Sequence, residues 1–240
     1  MSAAFLARLL DEASQPFRAA GRFSYHYARG KLGSDCLFRE VLKRGIFPAE
    51  GRFLDLGCGQ GCLFAWLLAA RRLYESGQWP AAWPAPPKPL RLSGYELMPR
   101  DVERAARAFA GEPRVELRQG DMRAVDFGQV DVVTILDALH YIDIAAQNEV
   151  LRRIRQALPP GGLFLTRVGD ADAGLPYHLC LAIDQAVIFA RGHRLPRLYG
   201  RALGDWVAQL ESLGFQVTPA PMSEGKPFAN VMLICRVPAP

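Results

Sequence analysis

Three glycines at alternate positions, Gly57, Gly59 and Gly61, separate a short apolar run from an apolar helical pattern. The run is Arg52-Phe-Leu-Asp-Leu56 and the pattern is Cys62-Leu-Phe-Ala-Trp-Leu-Leu-Ala-Ala70. Strand, glycine loop and helix in that order form a nucleotide-type binding turn. Glycine accepts positive φ and lets a ligand approach a backbone that carries no Cβ. Asp55 stands at the strand end, where it repels a pyrophosphate and suits a cationic amino group. No G-x-x-x-x-G-K-[ST] phosphate loop occurs. Further along, Glu96 ends a second apolar run and Asp121 a third, while Asp137 and His140 follow the fourth and Arg167 the fifth. A carboxylate at a strand end can accept two charge-assisted bonds from a diol. A neutral imidazole can take a proton at neutral pH.

S-adenosylmethionine carries an ammonium, a carboxylate and a sulfonium but no phosphate, and so fits this pattern. Leu54-Asp55-Leu56-Gly57-Cys58-Gly59-Gln60-Gly61 resembles the first motif of class I S-adenosylmethionine-dependent methyltransferases, (V/I/L)-L-(D/E)-x-G-x-G-x-G, from its second position to its last, with Phe53 in place of the first aliphatic residue. The resemblance implies that Asp55, Gly57, Cys58, Gly59 and Gly61 belong to the cofactor site. It implies that Glu96, in Gly94-Tyr95-Glu96-Leu97-Met98, accepts both ribose hydroxyls beside Leu97. Asp121 and Met122, in Gly120-Asp121-Met122, would meet the adenine, and Asp137 and Ala138 would complete the site. Val130-Asp-Val-Val-Thr-Ile-Leu136 and Pro160-Gly-Gly-Leu-Phe-Leu-Thr166 resemble the fourth and fifth strands, so the motifs run from Phe53 to Thr166 in the expected order.

The methyl acceptor is less constrained. The sulfonium is already activated, so alignment and exclusion of water are the main demands, with a general base for a hydroxyl nucleophile. His140 is the candidate base; its alternative role is packing against the cofactor or closing a turn. Tyr141 and Arg167 face the same end of the sheet, and an arginine there suits a carboxylate; Tyr177 and His178 are weaker candidates. Gly21 to Leu32 is dense in polar groups and could present Tyr25, Arg29 and Lys31 from a lid, or form an exposed arm. The fourth motif, Asp137-Ala-Leu-His140, is not the N/D-P-P-Y/F of amino-methylating nucleic-acid enzymes, and no Pro-Cys pair of the cytosine C5 type occurs. An O- or C-methylation of a small molecule is expected. Ala28-Arg-Gly-Lys-Leu32 together with the glycine loop resembles bacterial methyltransferases of aryl-polyene and xanthomonadin-type pigment pathways. That implies an aromatic or polyene acid as acceptor, free or on an acyl carrier protein. RNA or protein methylation, and a non-catalytic partner keeping the fold, stand as alternatives.

The elements that must position these groups follow from periodicity. Seven strands alternating with helices predict an α/β, Rossmann-like, doubly wound sheet, mostly parallel with an antiparallel C-terminal edge hairpin. Residues 1–45 are expected as an N-terminal helical lid and 46–240 as the cofactor-binding domain. Helices are predicted over Ala3–Arg18, from Asp35 to Arg44, Met98–Phe109, Asp143–Leu158, Leu175–Ala190 and Leu203–Leu213. The last strands are predicted over Phe215–Thr218 and Val231–Val237. Gly77–Pro89 is too rich in proline for helix or central strand and reads as a stiff insert, with Trp79 and Trp83 packing back on the domain. The 240 residues can bury a sizeable core, and 22% charged residues are ordinary for a globular chain. A net charge of +5, spread along the chain, gives no nucleic-acid footprint. Apolar runs are too short for a membrane span, and the N-terminus lacks a basic region ahead of its apolar part, so no signal peptide is expected. Five cysteines without a C-x-x-C, and scattered histidines, imply free thiols, a cytoplasmic setting and no metal. A monomer or homodimer is expected.

Overall fold

The computed structural model describes residues 3–190, 197–222 and 229–239. Three helices lead: α1 (Ala3–Ser14), α2 (Arg22–Ser34) and α3 (Cys36–Lys43). Then come β1 (Glu50–Leu56), α4 (Cys62–Glu75), β2 (Lys88–Glu96), α5 (Pro99–Ala108), β3 (Val115–Gln119) and β4 (Val132–Leu136). The remainder is α6 (Ile144–Ala157), β5 (Leu163–Gly169), α7 (Leu175–Ala190), α8 (Leu203–Ser212), β6 (Gln216–Pro221) and β7 (Asn230–Arg236). The seven strands form one sheet in the order β3-β2-β1-β4-β5-β7-β6. β2 runs parallel to β1 and β3. β7 runs antiparallel to β5 and β6, so the C-terminal pair closes the sheet edge. Parallel neighbours need a crossover, and α4 and α5 supply two of them. The expected Rossmann-like doubly wound fold is the observed one.

Two compact units divide the chain, Met1–Asp126 with Val130–Val133, and Phe127–Gln129 with Thr134–Pro240. In the first, Cys62 to Ala70 of α4 are buried on every side, as expected of a helix that is apolar all round. Packing of α1 and α2 against α4 covers much of that surface, and the Trp66 indole donates to the Phe38 carbonyl at 2.6 Å. Asp35 caps α3 by accepting from Leu37 N at 3.1 Å. The segment read as an arm or lid, Gly21 to Leu32, is helical. Gly30 and Gly33 hid this in the sequence, since glycine disfavours helix interiors. At Gly33 a Cβ would lie 3.1 Å from the Leu10 side chain, so the missing side chain lets α2 approach α1.

The proline-rich insert is pinned by aromatic rings. Phe5 meets Trp79 and Trp83 edge-on, with centroids 5.4 and 5.6 Å apart. Trp79 Nε1 donates to the Pro84 carbonyl at 2.9 Å. β2 starts at Lys88, so the insert's last two residues already pair with β1.

In the second unit, β5 is buried from Leu163 to Val168. Asp143 caps α6 by accepting from Ala146 N at 2.9 Å. Among the described residues no helix is long and apolar enough to cross a membrane.

Candidate functional site

The glycine loop is held by the end of β2. Gly57 N and Cys58 N both donate to the Tyr95 carbonyl, at 2.8 and 3.2 Å. One oxygen of Glu96 accepts from Gly59 N at 2.8 Å and the other from Met98 N at 2.9 Å. A carboxylate accepting backbone N–H groups makes a strong, charge-assisted bond, so Glu96 sets the loop's shape as well as offering acceptors to a ligand. Gly59 has φ 56°, and a Cβ built there meets nothing within 4 Å: its conformation needs glycine, and the space beside it is open. Gly61 has φ 80°, and its Cβ would fall 2.7 Å from the Phe109 ring. Cys58 is a buried thiol whose pKa is raised well above the ordinary range, first by burial and then by the charges of Asp55 and Glu96. Asp55 is 4% exposed at the end of β1.

These features fit S-adenosylmethionine: an open space over a glycine loop, a carboxylate with spare lone pairs, and the exposed apolar Leu97 next to it. Asp121 lies just past β3 and forms a fork with Arg123, Nε at 3.0 Å from both carboxylate oxygens; this pairing holds its pKa below the usual range. Met122 follows it. Gln60 carries no obvious signal in the sequence, yet it is buried and donates to Asp101 Oδ1 at 3.1 Å, an atom that Arg104 also reaches at 3.1 Å. The loop is thereby tied to α5.

The three polar groups expected to reach substrate from the N-terminal segment all have partners within it. Arg18 donates to the Tyr25 hydroxyl at 3.1 Å and lies over its ring. Arg29 pairs with Asp11, and that bond, foremost, raises its pKa. Lys31 pairs with Asp35 at 2.9 Å, one helical turn away.

In the second unit, Asp137 and Arg167, expected to serve cofactor and substrate separately, grip each other. Arg167 Nε donates to Asp137 Oδ1 at 2.7 Å and Nη2 bonds the other oxygen, a bidentate fork. Arg167 is 6% exposed, on β5. Asp137 has φ 58°, the one non-glycine positive φ among the described residues, and such strained backbone gathers at functional sites. Ala138 is buried beside it. His140 lies on a 3-10 turn, Leu139–Tyr141, with its ring 4.2 Å from the half-exposed Tyr141 ring. Burial lowers its pKa, and the nearby Asp137 charge opposes that shift.

The turn is fastened by Gln147, which the sequence did not flag: its amide nitrogen reaches the carbonyls of Leu139 and Ile142 at 3.1 Å and of Tyr199 at 2.9 Å. A cavity of about 30 Å³ is lined by Asp137, His140, Arg167, Tyr177, Trp206 and Asn230, among others. At roughly 10–15 Å³ per water this holds about two water-sized groups.

Fold, loop and carboxylate together make a Rossmann-like domain with an open glycine loop at its ligand-binding turn. Residues 54–164, just under half of the chain, match a family model described as a methyltransferase domain. The chain is 29% identical over 114 residues to a carboxy-S-adenosyl-L-methionine synthase from Chromohalobacter salexigens, covering 46% of this chain and 37% of that protein. Among solved structures it is similar to an O-methyltransferase family protein from Burkholderia thailandensis, at TM-score 0.61 and 20% identity over 92% of this chain and 62% of that one. Human N-acetylserotonin methyltransferase in complex with S-adenosylmethionine superposes at TM-score 0.59 and 15% identity, over 89% of this chain and 54% of that one. The chain thus spans about half the length of the human enzyme and about a third of the curated relative.

Proposed function

We propose that the protein transfers a methyl group from S-adenosylmethionine to an oxygen or carbon of a small-molecule acceptor, an aromatic or polyene acid, free or held on an acyl carrier protein. The observation that carries this reading is the Glu96 carboxylate bridging Gly59 N and Met98 N at the mouth of an open glycine loop. The O-methyltransferase-family and N-acetylserotonin enzymes among the similar structures support a small acceptor. The resemblance to pigment-pathway enzymes supports the aromatic or polyene class and a cytoplasmic setting, with the chain acting as monomer or homodimer.

When bound, the cofactor supplies an electrophilic methyl on its sulfonium. Glu96 would receive the ribose hydroxyls, Asp121 and Met122 the adenine, and Asp55 the ammonium, while the glycine amides keep the loop open for them. Asp137 and Ala138 are assigned to the same cofactor. His140, kept neutral by burial, is the group that would take the proton of an acceptor hydroxyl; Tyr141 would order the acceptor beside it. Arg167 acts by holding Asp137. Helices α1 to α3 would serve as the lid, with Tyr25, Arg29 and Lys31 on its acceptor side.

The test is calorimetric titration with S-adenosylmethionine and S-adenosylhomocysteine, followed by methyl-transfer assays on hydroxylated aromatic acids and their acyl derivatives. Micromolar binding of both cofactors with turnover of a small acceptor is the expected result; folded protein that binds neither sinks the reading. His140→Ala should cut turnover ~10²-fold with cofactor affinity unchanged if the histidine is the base.

A further inference from the structure

Burial does not explain Phe23. The ring is 56% exposed on the first turn of α2, so leaving water contributes little there. Instead it carries a cation: the Arg104 guanidinium, from α5, lies 4.4 Å from its centroid. Tyr27, one turn along α2, stacks on the same ring at 6.2 Å with planes 7° apart. A guanidinium within ~6 Å of an aromatic face is held by the ring's quadrupole. An arginine loose on a helix surface would sample many rotamers; this one is pinned.

The same guanidinium donates from Nη1 to Asp101 Oδ1 at 3.1 Å, and Gln60 Nε2 donates to that oxygen at the same distance. Asp101 is 8% exposed in the first turn of α5, and a carboxylate so far out of water depends on its donors. Gln60 stands between Gly59 and Gly61 and is 1% exposed, so holding its carboxamide holds the loop. The far end of α5 meets the next loop residue. Phe109 closes the helix against Gly61, and Phe17 meets the Phe109 ring edge-on at 6.0 Å. Residues ahead of β1 therefore bear on α5 at both ends, and α5 bears on Gln60 and Gly61. All of them lie in the first compact unit.

We propose that Arg104 is a positioning residue for the cofactor: through Asp101 and Gln60 it sets the glycine loop, and through Phe23 it makes the fit of that loop depend on α2. Coupling of this kind is reciprocal. Whatever fixes α2 tightens the cofactor, and the bound cofactor fixes α2. The proposal rests on the reading of the glycine loop as the S-adenosylmethionine site and adds the residues that tune it from outside.

The experiment uses the full chain, with S-adenosylhomocysteine as the probe and calorimetry as the measure of binding. Phe23→Ala should weaken binding about two- to fivefold, the worth of one exposed cation–π contact. Arg104→Ala should weaken it about tenfold, because Asp101 also loses a charged donor. With Arg104 already replaced, Phe23→Ala should cost nothing further, the mark of a shared interaction in a double-mutant cycle. Phe23→Tyr keeps the aromatic face and should restore wild-type affinity. Amide hydrogen exchange along Arg22–Ser34 should slow when the ligand is added to wild type and not when it is added to Arg104→Ala. A residue that only stabilised the fold would leave these ligand-dependent readouts unchanged. Phe23 is exposed, so its variants carry the test even if Arg104→Ala does not fold. Phe23→Ala binding as tightly as wild type, independent losses in the double variant, or equal α2 protection in Arg104→Ala overturns the proposal. Wild-type protein that binds no S-adenosylhomocysteine overturns the cofactor reading instead, and the proposal with it.

Discussion

The glycine loop and the cavity beneath Asp137 solve opposite problems with the same kinds of residue. At the loop, a carboxylate serves the backbone: Glu96 fastens two amides and fixes a surface that stays open. At the cavity, a carboxylate serves another side chain: Asp137 neutralises Arg167. The first arrangement leaves acceptor lone pairs for a ligand rich in hydroxyls and positive charge. Among the described residues, the second leaves the buried Trp206 Nε1 and His140 Nε2 without hydrogen-bond partners. One carboxylate is thus spent on backbone amides and the other on a guanidinium.

Substitutions can break this contrast. Arg167→Ala should have the largest effect on stability, about 3 kcal/mol, because it removes a bidentate partner from a partly buried carboxylate; urea unfolding measures it. Arg167→Lys should recover only part, since a lysine cannot make the fork. Retained stability in Arg167→Ala would show the pair to be dispensable. Glu96→Ala should lower cofactor affinity by about 1–3 kcal/mol while shifting the melting temperature less than Arg167→Ala does, and calorimetry with S-adenosylhomocysteine checks it. An unchanged affinity would remove both the ribose and the loop-fastening roles. Gly61→Ala should cost about 1–2 kcal/mol from its positive φ alone, and more from the 2.7 Å approach to Phe109. Gly59→Ala has the same backbone cost without the clash, so the difference between the two variants reads the packing of Phe109.

A smaller effect comes from His140. Its folded pKa lies below the ordinary ~6.5 because it is buried. Between that ordinary value and the lower folded one, the unfolded chain binds the extra proton. Stability should therefore fall as pH drops through this window and stay level above it. His140→Gln should flatten that part of the pH profile; an identical profile would mean the ring is not held neutral. Smallest of all, Lys31→Ala loses a one-turn ion pair with the largely buried Asp35 carboxylate, about 0.5 kcal/mol. If the acceptor KM rises as well, Lys31 has a role at the acceptor beyond the ion pair.

The cofactor half was legible because its information is local. Residues 54–61 are contiguous, the turn needs glycine for conformational reasons, and Glu96 reveals itself by ending a strand. The acceptor half was not. Asp137 and Arg167 were each visible as polar groups at strand ends, and nothing in their 30-residue separation announced that they would pair. Gln147 sits in an ordinary amphipathic helix, and its importance comes from what α6 packs against. In α2, the glycines that let it approach α1 also masked it as a helix, because close packing and low helix propensity draw on the same residue.

The sequence alone determined the alternation of strands and helices, the glycine loop and the cofactor it suits, since periodicity and positive φ are properties of short segments. Tertiary structure alone decided which charges pair and which buried polar atoms are left over. Those depend on side chains thirty or more residues apart meeting within 3 Å, and only the register of the packed elements sets that distance.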